Sequence, residues 1–263
     1  MPAKIVTLTS DFGLKDLYVA EMKAVILSIC PKAVIVDITH EIAKFRIRMG
    51  AFVLASSVPY FPDGSVHVAV VDPGVGTSRR SIVIKTKRGF LVGPDNGLLI
   101  LAAQKQKIES VHELTNPRLM MPEVSNTFHG RDVFAPAAAH LLRGIKPAEF
   151  GPEIKAAVVE FAKVTHKNDT LIGEVLHVDG FGNIITNINK DEVQQIRLRS
   201  MINVELASYK LKLEFCKAYG EIKPREPLVL VGSHGFLEIS ICQGNAAEKF
   251  KIKAGDTIRV SPA

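Results

Sequence analysis

In the run Val71-Asp72-Pro73-Gly74-Val75-Gly76-Thr77-Ser78-Arg79-Arg80 an acid closes an apolar stretch, a glycine-rich turn follows, and two cations end it. Three other apolar stretches end in polar groups. Ile5 to Thr9 runs into Ser10-Asp11-Phe12-Gly13, Val34 to Val36 into Asp37-Ile38-Thr39-His40, and Phe90 to Val92 into Gly93-Pro94-Asp95-Asn96-Gly97. A further loop, Asn126-Thr127-Phe128-His129-Gly130-Arg131-Asp132, carries a histidine beside a glycine, whose backbone freedom would leave the imidazole presented rather than packed. Carboxylates, an amide and imidazoles at strand ends could ligate a divalent cation. Asp11, Asp37, His40, Asp72, Asp95, Asn96 and His129 would suffice for a metal-dependent phosphoesterase, although no tight ligand spacing is present.

These residues need a scaffold that delivers strand ends to one rim. Val66 to Val71 is β-branched and almost continuously apolar, as a strand buried on both faces should be, so Asp72 falls at its carboxyl end, where open sheets place their ligands. Helical stretches alternate with the strands: Lys15 to Cys30 stopped by Pro31, Phe45 to Val58 stopped by Pro59, Gly97 to Gln106, and Val133 to Leu142 closed by Gly144. This is the βαβ pattern of a mostly parallel sheet with flanking helices on both faces. After a mixed stretch the pattern changes to short strands only: Leu171 to Val178, Ile184 to Ile188, Met201 to Leu206, Lys210 to Phe215, Pro227 to Val231, Phe236 to Ile241 and Asp256 to Val260. The expectation is an α/β domain over residues 1–165 and an all-β, barrel-like domain over 166–263.

Several function classes recede on composition and motif. The 263 residues are 47% hydrophobic and 23% charged, ample for real cores. The net charge of +6 is scattered, with no arginine-rich arm and only 6% aromatics for base stacking, so no nucleic-acid partner is expected. No apolar segment approaches the roughly 20 residues of a membrane span. Three distant cysteines, Cys30, Cys216 and Cys242, follow no metal or redox spacing and suit a reducing cytoplasm. Neither a G-x-G-x-x-G fingerprint nor a Walker loop follows the first strand, and Ser10-Asp11-Phe12-Gly13 lacks the surroundings of the kinase magnesium motif. Blander readings exist for single motifs. Ser10 or Asp11 could cap a helix, and Asp179-Gly180 and Gly182-Asn183 are good hairpin chemistry.

Taken in order, the motifs resemble one family, the S-adenosylmethionine hydroxide adenosyltransferases, related to the bacterial fluorinase and chlorinase. The carriers are Ser10 to Gly13 with Asp16, Asp37 to His40, Asp72 to Arg80, Gly93 to Gly97, Phe128 to Asp132, Asp179-Gly180-Phe181-Gly182-Asn183, and Ser233 to Glu238 followed by Gln243-Gly244-Asn245-Ala246-Ala247. The resemblance spans essentially the whole chain. It implies an α/β domain joined to a β-barrel, a homotrimer with sites between subunits, and no cofactor or metal. Its activity would be hydrolysis of S-adenosyl-L-methionine to adenosine and L-methionine.

By the same resemblance Asp72, Arg79 and His129 are the catalytic set, with Asp72 and His129 deprotonating a water that attacks C5′ and Arg79 fixing Asp72. Asp11 would hold the ribose diol, and Asp16 lies in the same substrate-binding stretch. Asp179, Phe181, Asn183, Ser233 and Glu238 fall where the barrel grips the amino-acid portion and adenine, and Asn245 and Ala246 where the backbone reads the adenine edge. The halogenases lack an aspartate at the position of Asp72 and insert a loop that is absent here, which favours water over halide. Tyr18 stands where fluorinase carries a ligand-contacting serine. A non-catalytic sensor of adenosine or S-adenosylmethionine would keep the pocket but lose the catalytic set, and that set is intact.

Overall fold

The computed structural model describes residues 4–157, 163–195 and 201–263, and the chain falls into two compact units, Met1–Val159 and Glu160–Ala263. In the first unit β1 (Ile5–Ser10), α1 (Tyr18–Ile29), β2 (Val34–Thr39), α2 (Ile47–Ser57) and β3 (Ser65–Val70) follow in turn. Then come β4 (Ser81–Thr86), β5 (Gly89–Pro94), α3 (Ile100–Lys105), β6 (Ile108–Glu113) and α4 (Ala135–Leu142). The six strands form one sheet in the order β2-β1-β3-β5-β4-β6. Strands β2, β1, β3 and β5 are parallel, while β4 runs antiparallel to both its neighbours.

The expected mostly parallel sheet is present, with one addition. The apolar run of β5 is expected from the sequence, but β4, with which it forms a hairpin, and the edge strand β6 are not, because the βαβ rhythm leaves no place for two adjacent strands without a helix between them. A turn at Lys87-Arg88 suffices for an antiparallel pair.

Burial follows the pattern. All six residues of β3 are buried, as a central strand covered on both faces requires. Val6, Leu8, Val66, Val68 and Val70 join Met22 and Ile26 of α1 and the alanine-rich α4 in one core, whereas α2 and α3 pack against each other away from that cluster. Small residues on α4 let it approach the sheet and α1 closely.

The chain leaves β1 for β2 on one side and reaches β3 on the other, so the sheet's topological switch point lies between β1 and β3. Ser10 of β1 is in register with Val70 of β3, which places Asp11 and Asp72 just beyond the carboxyl ends of adjacent strands. Crevices of this kind are where doubly wound sheets bind ligands.

The second unit contains β7 (Thr165–Lys167), β8 (Thr170–Val178), β9 (Ile184–Asn189), α5 (Lys190–Gln195), β10 (Met201–Leu206) and β11 (Tyr209–Phe215). It continues with β12 (Pro227–Val231), β13 (Phe236–Ile241), α6 (Ala246–Phe250) and β14 (Thr257–Pro262). Seven strands close into a barrel, β14-β10-β11-β12-β13-β9-β8, completed by the pairing of β14 with β8, and β7 adds a short hairpin to β8. The alternating Ile202, Val204 and Leu206, Leu237, Ile239 and Ile241, and Ile258 and Val260 fill the interior. Closure of the ring bears out the barrel-like expectation.

One polar pair lies inside the first sheet. His67 of β3 is 1% exposed, and its Nδ1 is 2.9 Å from Thr7 Oγ1 of β1. Burial, with a smaller contribution from Arg88, pushes its pKa down from 6.5 to about 4, so the folded protein holds it neutral. The folded state binds fewer protons than the unfolded state between these values, so the contribution is complete above pH 6.5 and is lost as pH falls toward 4. That shift corresponds to roughly 3 kcal/mol. Urea unfolding at pH 7 and pH 4.5 should therefore show a smaller acid loss for a Thr7→Val, His67→Phe double variant than for the wild type. Equal losses would remove His67 from the acid response.

Candidate active site

The strand β3 delivers Asp72 into a turn that Gly74 and Gly76 allow to reverse sharply. Gly76 has φ +76°, and a Cβ there would stand 2.1 Å from the carbonyl oxygen of Asn126. Only glycine permits this approach, which lays the turn against the loop leading to His129. Arg79 then folds back on the acid. Its Nε donates to Asp72 Oδ1 at 2.9 Å and to Oδ2 at 3.0 Å, and its Nη2 donates to Oδ2 at 2.5 Å. The same Nη2 lies 2.8 Å from His129 Nδ1, and Nη1 donates to Ser81 Oγ at 2.7 Å. The guanidinium also sits 5.4 Å over the ring of Phe134.

This geometry fixes the state of His129. An arginine in a protein remains protonated, so Nδ1 must be the acceptor and the hydrogen of the neutral ring resides on Nε2. Burial first, and the Arg79 charge second, lower the pKa of His129, and Asp72 and Asp132 only partly offset them. The ring enters a π-helical turn, Gly130–Phe134, that runs directly into α4. Asp132, buried within it, accepts from the Ser125 amide at 2.9 Å and from Arg131 Nε at 2.7 Å, which holds the approach loop.

Beyond β1, Asp11 is buried, and its Oδ2 accepts from the Phe45 amide at 2.9 Å while its carbonyl accepts from Lys44 Nζ. Phe45 has φ +65°, a left-handed backbone rare for a bulky residue, and the residue is 68% exposed. Phe12, Tyr18 and Phe128 form an aromatic cluster with centroids 5.2 to 5.8 Å apart. Asp11, Asp16, Tyr18, Phe45, Asp72 and His129 share one open cleft of about 640 Å³, in the range of small-molecule sites.

In the barrel unit, Asp179 organises the corner between β8 and β9. Its Oδ1 accepts from the amides of Phe181 and Asn183, and its Oδ2 from Asn183 Nδ2, all at 2.9 Å. Gly182 (φ +82°) lies so close to Asn245 that a Cβ would fall 2.0 Å from its Oδ1, the atom that caps α6 through the Glu248 amide. Phe181 projects outward, 80% exposed. Glu238 is buried, and its Oε1 accepts from Tyr219 Oη at 2.6 Å and Ser240 Oγ at 2.8 Å. Burial, then the Glu238 bond and the nearby Asp179, push the Tyr219 phenol well above its usual range. Ser233 occupies the turn between β12 and β13, in which Gly235 donates to the Gly232 carbonyl at 2.9 Å.

Two family models cover this chain: the S-adenosylmethionine hydroxide adenosyltransferase N-terminal domain over residues 6–151 and its C-terminal domain over residues 173–259. The chain belongs to the S-adenosylmethionine hydroxide adenosyltransferase family. A relative from Methanocaldococcus jannaschii, named (R)-S-adenosyl-L-methionine hydrolase, is 43% identical over 97% of this chain and 95% of its own length. The protein of that name from Salinispora arenicola is 38% identical over 97% of both chains, and the fluorinase of Actinoplanes sp. is 29% identical over the full length of both. A crystal structure of an uncharacterized conserved protein from Thermotoga maritima superposes with a TM-score of 0.91 at 40% identity, covering 98% of this chain and 99% of that one.

For a member of this family, the sequence-predicted residues fall into two groups. Asp11, Asp16, Asp72 and His129 meet at one cleft, with Arg79 bonded behind two of them. Asp179, Asn183 and Asn245 meet at one corner of the barrel unit. The metal-ligand reading loses its geometry. Asp37 pairs with Lys23 at 2.6 Å and lies 3.2 Å from His40 Nε2, His40 Nδ1 is 2.7 Å from Ser10 Oγ, and Asp95 is held by Arg80. Among the described residues no three acids, histidines or cysteines converge as a ligand set.

Lys44, Phe45, Ser81, Phe134 and Tyr219 escape the sequence reading. Phe45 acts through a backbone conformation that its residue type disfavours, and Tyr219 stands alone in a polar stretch with no periodic signal. The tautomer is directly measurable. The ¹⁵N spectrum of His129 at pH 7 should show a neutral ring protonated at Nε2, and a doubly protonated ring at that pH would contradict the Arg79 contact.

Proposed function

We propose that this protein hydrolyses S-adenosyl-L-methionine to adenosine and L-methionine, and that the Asp72–Arg79–His129 constellation at the switch-point cleft performs the step. The observation that carries the reading is the shared guanidinium, which orients an acid and a neutral imidazole toward the same cleft wall. Full-length relatives named for this hydrolysis support it.

The substrate sulfonium already provides a neutral leaving group, so the missing component is an oriented nucleophile. Bulk water, with a pKa of about 15.7, is a poor one. Oδ2 of Asp72 already accepts twice from Arg79, whereas Oδ1 accepts once and keeps a lone pair for a hydrogen of the water. His129, with Nδ1 engaged, offers Nε2–H to the water oxygen and orients its remaining lone pair at C5′. As the C5′–O bond forms, the C5′–S pair returns to sulfur, giving neutral methionine, and the oxygen becomes acidic enough for Asp72 to take its proton. Asp72 is therefore the base and His129 the orienting donor, which divides a task that the sequence reading assigns to both. Alignment of this kind and general-base help can supply on the order of 7 kcal/mol or more of barrier reduction.

Recognition divides in the same reading. Asp11 takes the ribose diol beside the Phe45 ring, and Asp16 lies in the same substrate-binding stretch. Asp179, Phe181, Asn183, Ser233 and Glu238 serve the amino-acid portion and adenine, with Asn245 and Ala246 at the adenine edge. We further propose a homotrimer in which each site draws on two neighbouring subunits. The buried free thiols of Cys30, Cys216 and Cys242 fit action in the reducing cytoplasm, and among the described residues no helix is long and apolar enough to cross a membrane.

In ¹⁸O-labelled water the adenosine 5′-oxygen should carry the label. Asp72→Ala and His129→Ala should each lower turnover at least about a hundredfold while adenosine binding survives. Unlabelled adenosine, or unchanged turnover in either variant, would refute the step as written. For the assembly, mixing inactive Asp72→Ala and Asn183→Asp proteins under subunit exchange should restore some activity, because a fraction of sites then draws a wild-type half from each. No recovery after exchange verified by mass spectrometry would place the whole site within one chain.

A further inference from the structure

The interior of the Asp72–Arg79 turn is held locally. Val75 donates to the Asp72 carbonyl at 3.3 Å, and the Gly74 carbonyl accepts from the Thr77 amide at 3.2 Å and from Thr77 Oγ1 at 2.7 Å. Its two ends are gripped instead by the loop after β5. Asn96 Nδ2 donates to the carbonyl of Val71, the residue before Asp72, at 2.9 Å. The Asp95 amide donates at 3.0 Å to the carbonyl of Arg80, the residue after Arg79, and the Arg80 guanidinium closes on the Asp95 carboxylate. That Arg80 carbonyl also accepts from Arg79 Nη1 at 3.2 Å, so the loop reaches the catalytic guanidinium through one shared atom. Asp95 is anchored in turn, its Oδ1 accepting from the Ala157 amide at 2.8 Å, and Asn96 Oδ1 accepts from the Leu98 amide at 3.2 Å.

We propose that Asp95 and Asn96 are positioning residues for the hydrolysis, a clamp that sets the separation of Val71 and Arg80 and thereby the alignment of Asp72, Arg79 and His129. The inference rests on the hydrolase reading above and assigns work to a strand-end motif that this reading leaves unused. Neither side chain lines the cleft, so their influence passes through the turn. A displacement of about 1 Å in such a frame can cost on the order of a hundredfold in rate without loss of binding.

The test is Asn96→Asp, a change of shape-matched side chain that keeps the acceptor for the Leu98 amide and replaces the donor to Val71 with a carboxylate oxygen. Adenosine release should show kcat reduced about ten- to a hundredfold, with KM and the adenosine Kd within about threefold of wild type. Asp95→Asn, which keeps the acceptor for Ala157 and weakens the Arg80 pair, should move kcat alone in the same direction by a smaller factor. It decides the matter by the same criteria if Asn96→Asp fails to fold. A kcat within threefold of wild type, or equal losses in kcat and adenosine affinity, would overturn the clamp. The His129 ¹⁵N signal of the variants needs no turnover. A shifted Nδ1 resonance supports the clamp and an unchanged one counts against it, even if the wild type releases no adenosine and the hydrolase reading itself fails.

Discussion

The guanidinium of Arg79 is the contact on which the rest of the cleft depends. It is planar, cannot surrender its proton under any ordinary condition, and directs its donors along fixed lines. Two of its nitrogens face Asp72, one of these also faces His129, and the third faces Ser81 and the Arg80 carbonyl. A lysine could match the charge but not this division of directions. The protonation of the imidazole, the rotamer of the acid and the path of the following strand are consequently one problem with one solution. The face of Phe134, supplied by the π-helical turn that follows His129, lies against the same guanidinium.

The sheet makes that solution reachable. Because the chain departs from β1 in one direction and returns to its other flank, the first and third strands end side by side with their loops parted. Asp11 and Asp72 therefore face a common opening, although 61 positions separate them in the chain. His129 comes from much further on, and its loop is held by backbone contact with Gly76 and by the buried Asp132 rather than by a strand. The cleft thus combines two acids on rigid strand ends with an imidazole whose position is transmitted through packing.

The parts legible in the sequence were those governed by periodicity and by residue type. Continuous β-branched runs mark β3 and its parallel neighbours, a succession of short strands without helices marks the barrel, and acids after apolar runs mark the rim. The order of motifs carried the family. Hidden were features that depend on where the backbone goes rather than on what it is made of. The β4–β5 hairpin broke an otherwise regular alternation of strand and helix. The tautomer of His129 follows only from the direction in which Arg79 points, and Asp37, His40 and Asp95, possible ligands by residue type, hold one another or neighbouring cations. The resemblance makes Glu238 a ligand-facing acid but gives no sign that one of its oxygens is occupied by Tyr219 and Ser240.

The backbone of Phe45 has a bearing on how this protein could be made more robust. A left-handed phenylalanine costs on the order of 1–3 kcal/mol, and here the twist turns an amide onto Asp11 while leaving the ring standing in the opening. Glycine or asparagine would relax that strain, so a search for heat-resistant variants would be drawn to position 45. The same replacement would strip the aromatic wall beside Asp11. On the proposed reading of the cleft, thermal tolerance and recognition compete at a single residue, and selection for one alone would erode the other.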